Sequence, residues 1–271
     1  MLSDEYTPHS YNMVIQTTPN KEDRSKTVEE SWQRYFKGTR IVMDDNECKH
    51  FLLNVYGSAY VNQFDYLKKG AHKADLFRYA WLYKYGGVYC DIKTVLIRPF
   101  EEVFSDDRVC YFVNTMYKWH SYRRIYNGVI ATPPNNPLIY EMLQGAMRHS
   151  NQSGYLAICE HGFEVITAAM GLKHIPKGRT YVDDSSIPDV HMYTEEHRNS
   201  NCKGQFDQYG LCNYINDEHG KHMVFVRDTS YNNTSPSQMK NSRKRHMKRK
   251  METIWFEYIF GILDLFKKLL N

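Results

Sequence analysis

Residues 71–93 decide the fold of this chain, and they read AHKADLFRYAWLYKYGGVYCDIK. Apolar residues recur at helical spacing and predict a helix over about His72–Tyr85. Asp75 and Arg78 lie three positions apart and therefore share one face of that helix. Such a carboxylate and guanidinium either pair with each other or divide the hydroxyl groups of a ligand between them. The pattern leaves both interpretations open.

The predicted helix is followed by two glycines and a short predicted strand, Val88–Ile92. Gly86-Gly87 ends the helix, because glycine adopts the positive φ that a helix end often needs. The strand carries Asp91 at its carboxyl end, which is where ligands bind in open α/β sheets. A carboxylate at that position can hold a metal ion or a ribose hydroxyl. The sequence therefore predicts a ligand site around Asp91.

Helices and strands alternate along the first 170 residues, which predicts an α/β fold with a mainly parallel central sheet. The further predicted strands are Met13–Thr17, Arg40–Met43, Val109–Asn114 and Gly128–Thr132, and the further helices are Ser25–Tyr35, one through Phe51–Val55 that Asp44 or Asp45 caps, and Asn136–Arg148. Beyond Gly171 the pattern weakens, and we expect sheet edges and long loops. We divide the chain into a single main domain, 1–235, and an appendage, 236–271, made of a basic linker and a predicted C-terminal helix.

Charge and composition restrict the function further. The net charge is +4, but six basic residues crowd into 243–250, and the remainder is near neutral. The body is therefore not expected to bind nucleic acid. The six cysteines form no CxxC pair, so we expect free thiols. We find no apolar signal-peptide region at the N-terminus and no run of 18 uncharged apolar residues, so we expect a cytoplasmic protein.

Residues 73–93 resemble the signature of the glycosyltransferases with a sugar-binding DXD motif, relatives of the yeast Golgi α-mannosyltransferases and of capsular polysaccharide enzymes. Ser31-Trp32, Asp44-Asp45 and the segment Tyr126–Pro137 are similar to other parts of that family. The resemblance spans roughly Met13 to Leu172. It implies a GT-A-type fold, a nucleotide-sugar donor, transfer with retention at the anomeric carbon, and a glycan, glycolipid or glycoprotein acceptor.

The resemblance also implies roles for single residues. Asp91 matches the first Asp of the motif and would bind the metal, and Asp91 and Asn127 would lie at the reacting centre. Arg227 lies in a segment similar to the one that closes over the diphosphate, and guanidinium groups pair well with phosphate oxygens. The implied donor-binding residues are Asp75, Arg78, Gly87, Tyr89, Asp91, Lys93 and Arg227.

Lys93 departs from the family, because it replaces the second Asp of the motif, the usual ligand of Mn²⁺ or Mg²⁺. Hard divalent cations need oxygen ligands, which an ammonium group does not supply. Lys93 can replace the metal, since a fixed cation also offsets the charge of a departing diphosphate. Alternatively Asp91 still holds Mn²⁺ or Mg²⁺ with help from late loop residues, namely Asp217, Glu218, His219, His222 and Asp228. The third reading is a site that binds donor without turnover, which would make the protein a nucleotide-sugar- or glycan-binding protein.

Strand alternation would place Lys93 on the same side as Asp91. Two further candidates concern other residues. His219 and His222 have a spacing seen at metal sites, although two solvated loop histidines fit equally. Glu160 or Glu164 is a candidate for positioning an acceptor hydroxyl.

The last segment of the chain has a pattern of its own. On a helix from Glu252, seven apolar residues form one broad face: Trp255, Tyr258, Ile259, Ile262, Phe266, Leu269 and Leu270. A basic run precedes this amphipathic C-terminal helix. Residues 243–270 therefore predict a peripheral membrane contact or a last helix packed on the enzyme's own core. A nuclear-localisation or nucleic-acid-binding tail is a third interpretation of the basic run.

Overall fold

The computed structural model describes residues 11–19, 26–115, 124–154, 157–199 and 211–227, all within the compact unit Met1–Asp228. The predicted amphipathic C-terminal helix and the appendage 236–271 lie outside these residues. Within the described ranges, no helix is long and apolar enough to span a bilayer.

Seven helices and ten strands make up the described part of the chain. The helices are α1 (Lys26–Tyr35), α2 (Asp45–Tyr56), α3 (Ser58–Tyr66), α4 (Gly70–Tyr85), α5 (Phe100–Val103), α6 (Pro137–Arg148) and α7 (Ala157–Ala169). The strands are β1 (Met13–Thr17), β2 (Thr39–Met43), β3 (Gly87–Cys90), β4 (Thr94–Leu96), β5 (Cys110–Thr115), β6 (Val129–Thr132), β7 (Gly178–Thr180), β8 (Val190–Asn199), β9 (Leu211–Asn216) and β10 (His222–Arg227).

Local sequence signals account for the boundaries that were predicted. Asp44 caps α2 and forms a capping box with Glu47. Asn136 caps α6 through a bond from the backbone N–H of Leu138, with proline at the first helical position. Gly86 ends α4 with φ 65°. The predicted elements before residue 150 are confirmed to within two residues, and they belong to a mixed α/β fold.

The sheet is mixed, so the expectation of a mainly parallel sheet was wrong. Its order is β2-β1-β3-β6-β5-β8-β9-β10-β4, with β7 beside β8. Among the described strands, three pairings are parallel and six are antiparallel. The reason is β6, which runs antiparallel between β3 and β5. In addition, β8, β9 and β10 are antiparallel neighbours in sequence order, which need no helical crossover between them.

The sheet must curl, because β3 and β4 are separated by only three residues in the chain yet lie far apart in the hydrogen-bonding order. β3 pairs with β1 and β6, whereas β4 pairs with β10 at the other end of the sheet. The short turn after β3 therefore brings β10 towards β3. This region beyond Gly171 was predicted as sheet edges and loops, but β8 is an interior strand between β5 and β9.

Two apolar layers cover the sheet. One contains the buried faces of α2, α4, α6 and α7 together with Ile15 and Tyr89 of the strands. The other contains α1 and α5 together with Val14, Val88 and Cys90. Neighbouring residues of β1 and β3 thus face opposite layers, as the pleat requires. The carboxyl ends of β1 and β3 lie between these layers, and the candidate site forms there.

Candidate functional site

Helix α4 supplies the first two site residues. Almost all of its middle is buried, which is expected of a helix enclosed by the core on all sides. Asp75 and Arg78 are 6% and 4% exposed, and the Arg78 Nε lies 3.5 Å from the Asp75 Oδ1. Of the two interpretations of this pair, the structure has the two side chains in contact with each other.

Arg78 is the charged centre of the site. Its Nε donates to the Ala74 carbonyl at 3.1 Å, and its Nη1 donates to the Asn127 carbonyl. The guanidinium carbon lies 4.1 Å from the centre of the Tyr89 ring, and Nη1 lies 3.6 Å from the Asp91 Oδ1. Burial alone would lower the pKa of Arg78, but Tyr89 and the two carboxylates raise it above its ordinary value. Arg78 is therefore a permanent cation that faces two carboxylates.

Asn127 lies inside the wall of the site. Its Nδ2 donates to the Asp75 Oδ1 at 3.0 Å, and its Oδ1 accepts a hydrogen bond from the Tyr79 hydroxyl at 2.9 Å. Burial raises the pKa of Asp75, while Arg78 and the Asn127 amide act in the opposite direction. Asn127 is 4% exposed, and in this structure its amide holds Asp75 in place.

Asp91 follows β3 directly and is the carboxylate that reaches the surface. Its side chain is 37% exposed. The Tyr89 hydroxyl donates to its Oδ1 at 3.2 Å, and the Tyr126 hydroxyl donates to its Oδ2 at 3.3 Å. Burial raises the pKa of both phenols, so both are neutral donors at neutral pH. Two phenols and one guanidinium thus fix the Asp91 carboxylate at the mouth of the site.

Gly128 makes room for this carboxylate. It lies opposite Asp91 and accepts the Asp91 backbone N–H at 2.7 Å. A Cβ at Gly128 would lie 2.3 Å from the Tyr126 hydroxyl oxygen and 2.6 Å from the Asp91 Oδ2. Both distances are below any ordinary contact, so only glycine fits between the two side chains.

Gly87, a predicted donor-binding residue, lies elsewhere. It has φ 87°, and a Cβ there would lie 3.0 Å from the Met13 carbonyl oxygen of β1. Gly87 begins β3, whereas Asp91 follows its end, so the strand separates them by roughly 13 Å at about 3.3 Å per residue. Its requirement for glycine comes from the positive φ and the close approach of β1. The structure does not bring Gly87 to the site.

Lys93 lies in the turn that joins β3 to β4, not on a strand. The expectation that strand alternation places Lys93 on the same side as Asp91 was therefore wrong, because period-two alternation holds only within extended strands. The Thr94 N–H donates to the Asp91 carbonyl at 2.9 Å and closes this turn tightly. Proximity in a tight turn, not alternation, keeps Lys93 near Asp91.

The pairing of β10 with β4 shows which candidate residues from the last part of the described chain lie near Lys93. Val226 pairs with Thr94 and Val224 with Leu96, so Arg227 lies one position beyond Thr94, towards Lys93. His222 lies at the opposite end of β10, where its carbonyl accepts a bond from Arg98 at 2.8 Å. The end that approaches Lys93 is therefore the one that carries Arg227.

The turn between β9 and β10 holds most of the late residues suggested as metal ligands. The Asp217 side chain accepts bonds from the backbone of the same turn, and the Glu218 Oε2 lies 3.2 Å from the His191 Nε2. Five residues of strand, roughly 17 Å at about 3.3 Å each, separate His222 from Arg227. Asp217, Glu218, His219 and His222 therefore cannot help Asp91 hold a metal, and that interpretation was wrong for them. Asp228 lies outside the described residues.

Glu160 and Glu164, the acceptor-side candidates, lie on α7. The Glu160 Oε1 lies 2.9 Å from the Arg124 Nη2, and the Arg124 carbonyl accepts the Thr115 N–H at the end of β5. The Glu164 side chain is 77% exposed and lies 4.0 Å from the His161 ring. Glu160 is thus paired with a cation beside the start of β6, while Glu164 points to solvent.

The described residues do not fit a bound divalent metal. They contain no cluster of three or more His, Cys, Asp or Glu side chains that could hold one. Asp91 supplies one exposed carboxylate, and its two oxygens already accept bonds from Tyr89 and Tyr126. Asp75 is committed to Arg78 and Asn127, and the third position of the motif is Lys93. A hard cation needs several oxygen ligands, which this donor set does not offer.

Besides Gly128, three residues of the site were not assigned a role from sequence. Tyr79 and Tyr126 position Asn127 and Asp91, and Gln16 of β1 donates to the Asp91 carbonyl at 3.1 Å. The two tyrosines carry no local signal among the 22 tyrosines of the chain. Gln16 did have one, because it is a polar residue at the end of an apolar strand that is buried on both faces.

Comparisons with known proteins find one matching family and one curated relative. Residues 22–110 match the family described as "Glycosyltransferase sugar-binding region containing DXD motif". An "Uncharacterized glycosyltransferase" of Acanthamoeba polyphaga mimivirus is 29% identical over 111 residues, which is 41% of this chain and 43% of that relative. The match thus spans less than half of the relative's length.

Among solved structures, one titled "PaToxG Glycosyltransferase" superposes with a TM-score of 0.43 at 14% identity, covering 59% of this chain and 70% of that one. Asp75, Arg78 and Asp91 all lie within the residues that match the family. Residues 22–110 of this chain are thus similar to the glycosyltransferase sugar-binding region that contains a DXD motif.

Proposed function

We propose that the protein transfers a sugar from a nucleotide-sugar donor to a glycan, glycolipid or glycoprotein acceptor, with retention at the anomeric carbon. The observation that carries this proposal is the position of Asp91. Its carboxylate is held by Arg78, Tyr89 and Tyr126 at the carboxyl end of β3, yet 37% of the side chain is open to solvent. A fixed carboxylate at such an edge is well placed to accept hydrogen bonds from a sugar or ribose hydroxyl.

Arg78 and Asp75 support the same assignment from inside the wall. Asp75 is buried and bonded to Asn127, and Arg78 carries the charge between Asp75 and Asp91. We assign Asp91 to direct donor contact, Arg78 to charge balance at the mouth, and Asp75 and Asn127 to holding Arg78. Tyr89, which lies under the guanidinium, acts through Arg78 and Asp91.

The diphosphate of the donor would meet Lys93 and Arg227. The turn after β3 carries Lys93, and the β4–β10 register brings Arg227 towards it from the neighbouring strand. Cations at these two positions would stabilise the negative charge that develops on a departing nucleoside diphosphate. This supports the reading in which Lys93 takes the electrostatic part that a metal plays in related sites. The protein's other contribution would be to hold donor and acceptor in reactive geometry.

The test is an assay of sugar release and transfer with a panel of UDP- and GDP-sugars, in the presence of Mn²⁺ and of EDTA. We expect turnover with at least one donor in both conditions, and retained anomeric configuration of the product by NMR. Asp91→Asn keeps the shape but loses the charge, and we expect turnover to fall at least about a hundredfold. Asp65→Asn, an equal change on the exposed end of α3, is the matched control. Full activity in Asp91→Asn would refute the placement of the site.

A second candidate function is donor or glycan binding without turnover. Two observations favour it: Lys93 replaces a motif carboxylate, and the Asn127 amide is bonded to Tyr79 and Asp75 within the wall. In that case calorimetry would detect binding of a nucleotide sugar, while the assay would show no product with any donor. Measurable product with any donor would exclude binding without turnover and support the transferase.

We also propose that residues 243–270, which lie outside the described residues, bind the surface of anionic membranes. The support is their sequence, six basic residues followed by an apolar face on a potential helix. Flotation with phosphatidylserine vesicles tests this, with the variant Lys248→Glu/Arg249→Glu/Lys250→Glu as the comparison. We expect the variant to lose flotation, and equal flotation of both proteins would contradict the proposal.

A further inference from the structure

Strand β1 contains one fully buried amide. Gln16 is 0% exposed, and its Nε2 donates to the backbone carbonyl of Asp91 at 3.1 Å. Burying an amide costs free energy unless its hydrogen-bonding groups are paired. The Gln16 amide is hydrogen-bonded through both its nitrogen and its oxygen. The partner of the nitrogen is the backbone of Asp91, the residue on which the site depends.

The Asp91 backbone is held at three points. Its N–H donates to the Gly128 carbonyl at 2.7 Å, and its carbonyl accepts the Thr94 N–H at 2.9 Å. Those two bonds are made by the backbone and define the strand pairing and the turn. The third, from Gln16, is made by a side chain. The Gln16 bond is therefore the one that a single substitution removes while leaving the sheet intact.

Arg40 fixes which way the Gln16 amide points. The Arg40 Nε donates to the Gln16 Oε1 at 2.5 Å. A guanidinium has only donors, so the oxygen of the amide must face Arg40 and its nitrogen must face the Asp91 carbonyl. The orientation of the amide thus follows from the chemistry of its neighbours.

Glu29 of α1 completes the connection. The Arg40 Nη1 and Nη2 donate to the two oxygens of Glu29 at 2.8 and 3.0 Å, a bidentate pair. The Arg40 guanidinium carbon also lies 4.8 Å from the centre of the Trp32 ring. Glu29, Arg40 and Gln16 therefore form a chain of charged and polar groups from the surface of α1 to the Asp91 backbone. We call this set of contacts the Glu29–Arg40–Gln16 network.

Helix α1 also holds the strand after the turn. The Trp32 indole N–H donates to the Thr94 carbonyl at 2.8 Å, and the Leu96 N–H donates to the Ser31 hydroxyl at 3.2 Å. Gln16 thus bonds the first residue of the Asp91–Thr94 turn, and Trp32 bonds the last. The turn that carries Asp91 and Lys93 is thus fixed from the α1 side.

We propose that Gln16 is a positioning residue that sets where the Asp91 carboxylate stands in the donor site, and that Arg40 and Glu29 act through it. This rests on the proposed function. Asp91 would contact the sugar or ribose, while Gln16 reaches the site through the Asp91 backbone carbonyl. Loss of the Gln16 donor lets the turn shift, and small displacements of a reacting or binding group cost up to about a hundredfold.

The experiment compares two affinities by calorimetry: the Kd of the UDP- or GDP-sugar that the wild-type protein binds best, and the Kd of the corresponding UDP or GDP. Gln16→Glu keeps an oxygen for Arg40 but removes the donor to Asp91. We expect the Kd of the nucleotide sugar to rise about tenfold, while the Kd of UDP or GDP changes less than about twofold. Gln33→Glu, the same substitution at an exposed position of α1, is the control and should change neither Kd.

A second variant covers the case in which Gln16→Glu does not fold. Glu29→Gln lies at a partly exposed position and weakens the ion pair with Arg40. We expect it to raise the Kd of the nucleotide sugar selectively as well, but by a smaller factor. If wild type binds a nucleotide sugar and both folded variants keep the wild-type ratio of affinities, the positioning role is overturned while the proposed function stands. If wild type binds no UDP- or GDP-sugar, the proposed function fails, and the role of Gln16 falls with it.

Discussion

The side-chain amide of Asn127 donates a hydrogen bond to the Asp75 carboxylate at 3.0 Å, although the two residues are 52 positions apart in the chain. The bond joins α4 to the segment before β6. It also ties both residues into the wall of the site, because the Asn127 amide and the buried Asp75 carboxylate bond each other. The donor site is therefore built from an inner group, Asp75 and Asn127, and an outer carboxylate, Asp91.

The first prediction concerns this inner group. Asn127→Asp removes the donor to Asp75 and places a second buried carboxylate against it. We expect the free energy of unfolding to fall by about 3 kcal/mol or more, measured by urea denaturation at pH 7. The exposed Asn135→Asp is the control and should change stability little. Equal stability of the two variants would show that the Asn127–Asp75 bond does not hold the inner group.

The second prediction concerns the space beside Asp91. Gly128→Ala introduces a Cβ within 2.6 Å of the Asp91 Oδ2 and 2.3 Å of the Tyr126 hydroxyl, so the carboxylate must move. We expect turnover of the donor to fall at least about tenfold. Gly154→Ala, where a Cβ meets nothing within 4 Å, provides a control with the same chemical change. Unchanged kinetics in Gly128→Ala would mean that the position of Asp91 is not critical.

The third prediction concerns Lys93. Lys93→Asp removes the cation and restores the second carboxylate of the motif, so we expect activity to become dependent on Mn²⁺ and sensitive to EDTA. Lys93→Met removes the cation alone and should lower turnover about tenfold or more without creating a metal response. The exposed Lys84→Asp on α4 controls for the change of net charge. An EDTA response of Lys93→Asp identical to wild type would rule out Lys93 as the substitute for a metal.

The fourth prediction concerns stability and pH at a surface cluster away from the site. Hydrogen bonds from Arg108, and also from Arg179, lower the pKa of Asp106 from 3.8 to about 2. A carboxyl whose pKa is lower in the folded state stabilises the protein above its unfolded pKa, and this stabilisation is lost as the pH falls through the folded value. Asp106→Asn should therefore lower the Tm at pH 7, and the difference from wild type should shrink between pH 4 and pH 2.

The control for Asp106 is its neighbour. Asp107→Asn removes a carboxylate of the same type at an exposed position next to Asp106. We expect its Tm to follow that of wild type across the whole range. A constant Tm difference between wild type and Asp106→Asn from pH 7 to pH 2 would contradict the role of the two arginines.

Much of the fold before residue 150 could be predicted, because its signals are local. The Asp44 cap, the proline after Asn136 and the two glycines after α4 each end or begin an element through the conformation of a few residues. The region of β8, β9 and β10 was predicted only as sheet edges and long loops, because β8 and β9 alternate polar and apolar residues irregularly and the apolar run of β10 is short. Their pairing with β5 and β4 is long-range, and no local pattern specifies it.

The candidate site divides in the same way. Asp75, Arg78 and Asp91 could be identified from spacing, since i, i+3 places two residues on one helix face and a strand end delivers the third. The burial of Asn127, the location of Gly87 away from the site and the turn conformation of Lys93 could not. Each depends on which strand lies beside β3, which is decided by packing.

By itself, the sequence determined that a helix with a carboxylate and a guanidinium leads through Gly86-Gly87 to a strand ending in Asp91, because helix periodicity and glycine conformation act over a few residues. Only the tertiary structure decided that Asp75 turns inward to Asn127 and that Gln16 holds the Asp91 backbone. It also decided that the β9–β10 turn lies away from the site. These contacts join residues separated by 52 and 75 positions, and they form only when the curled sheet brings their strands together.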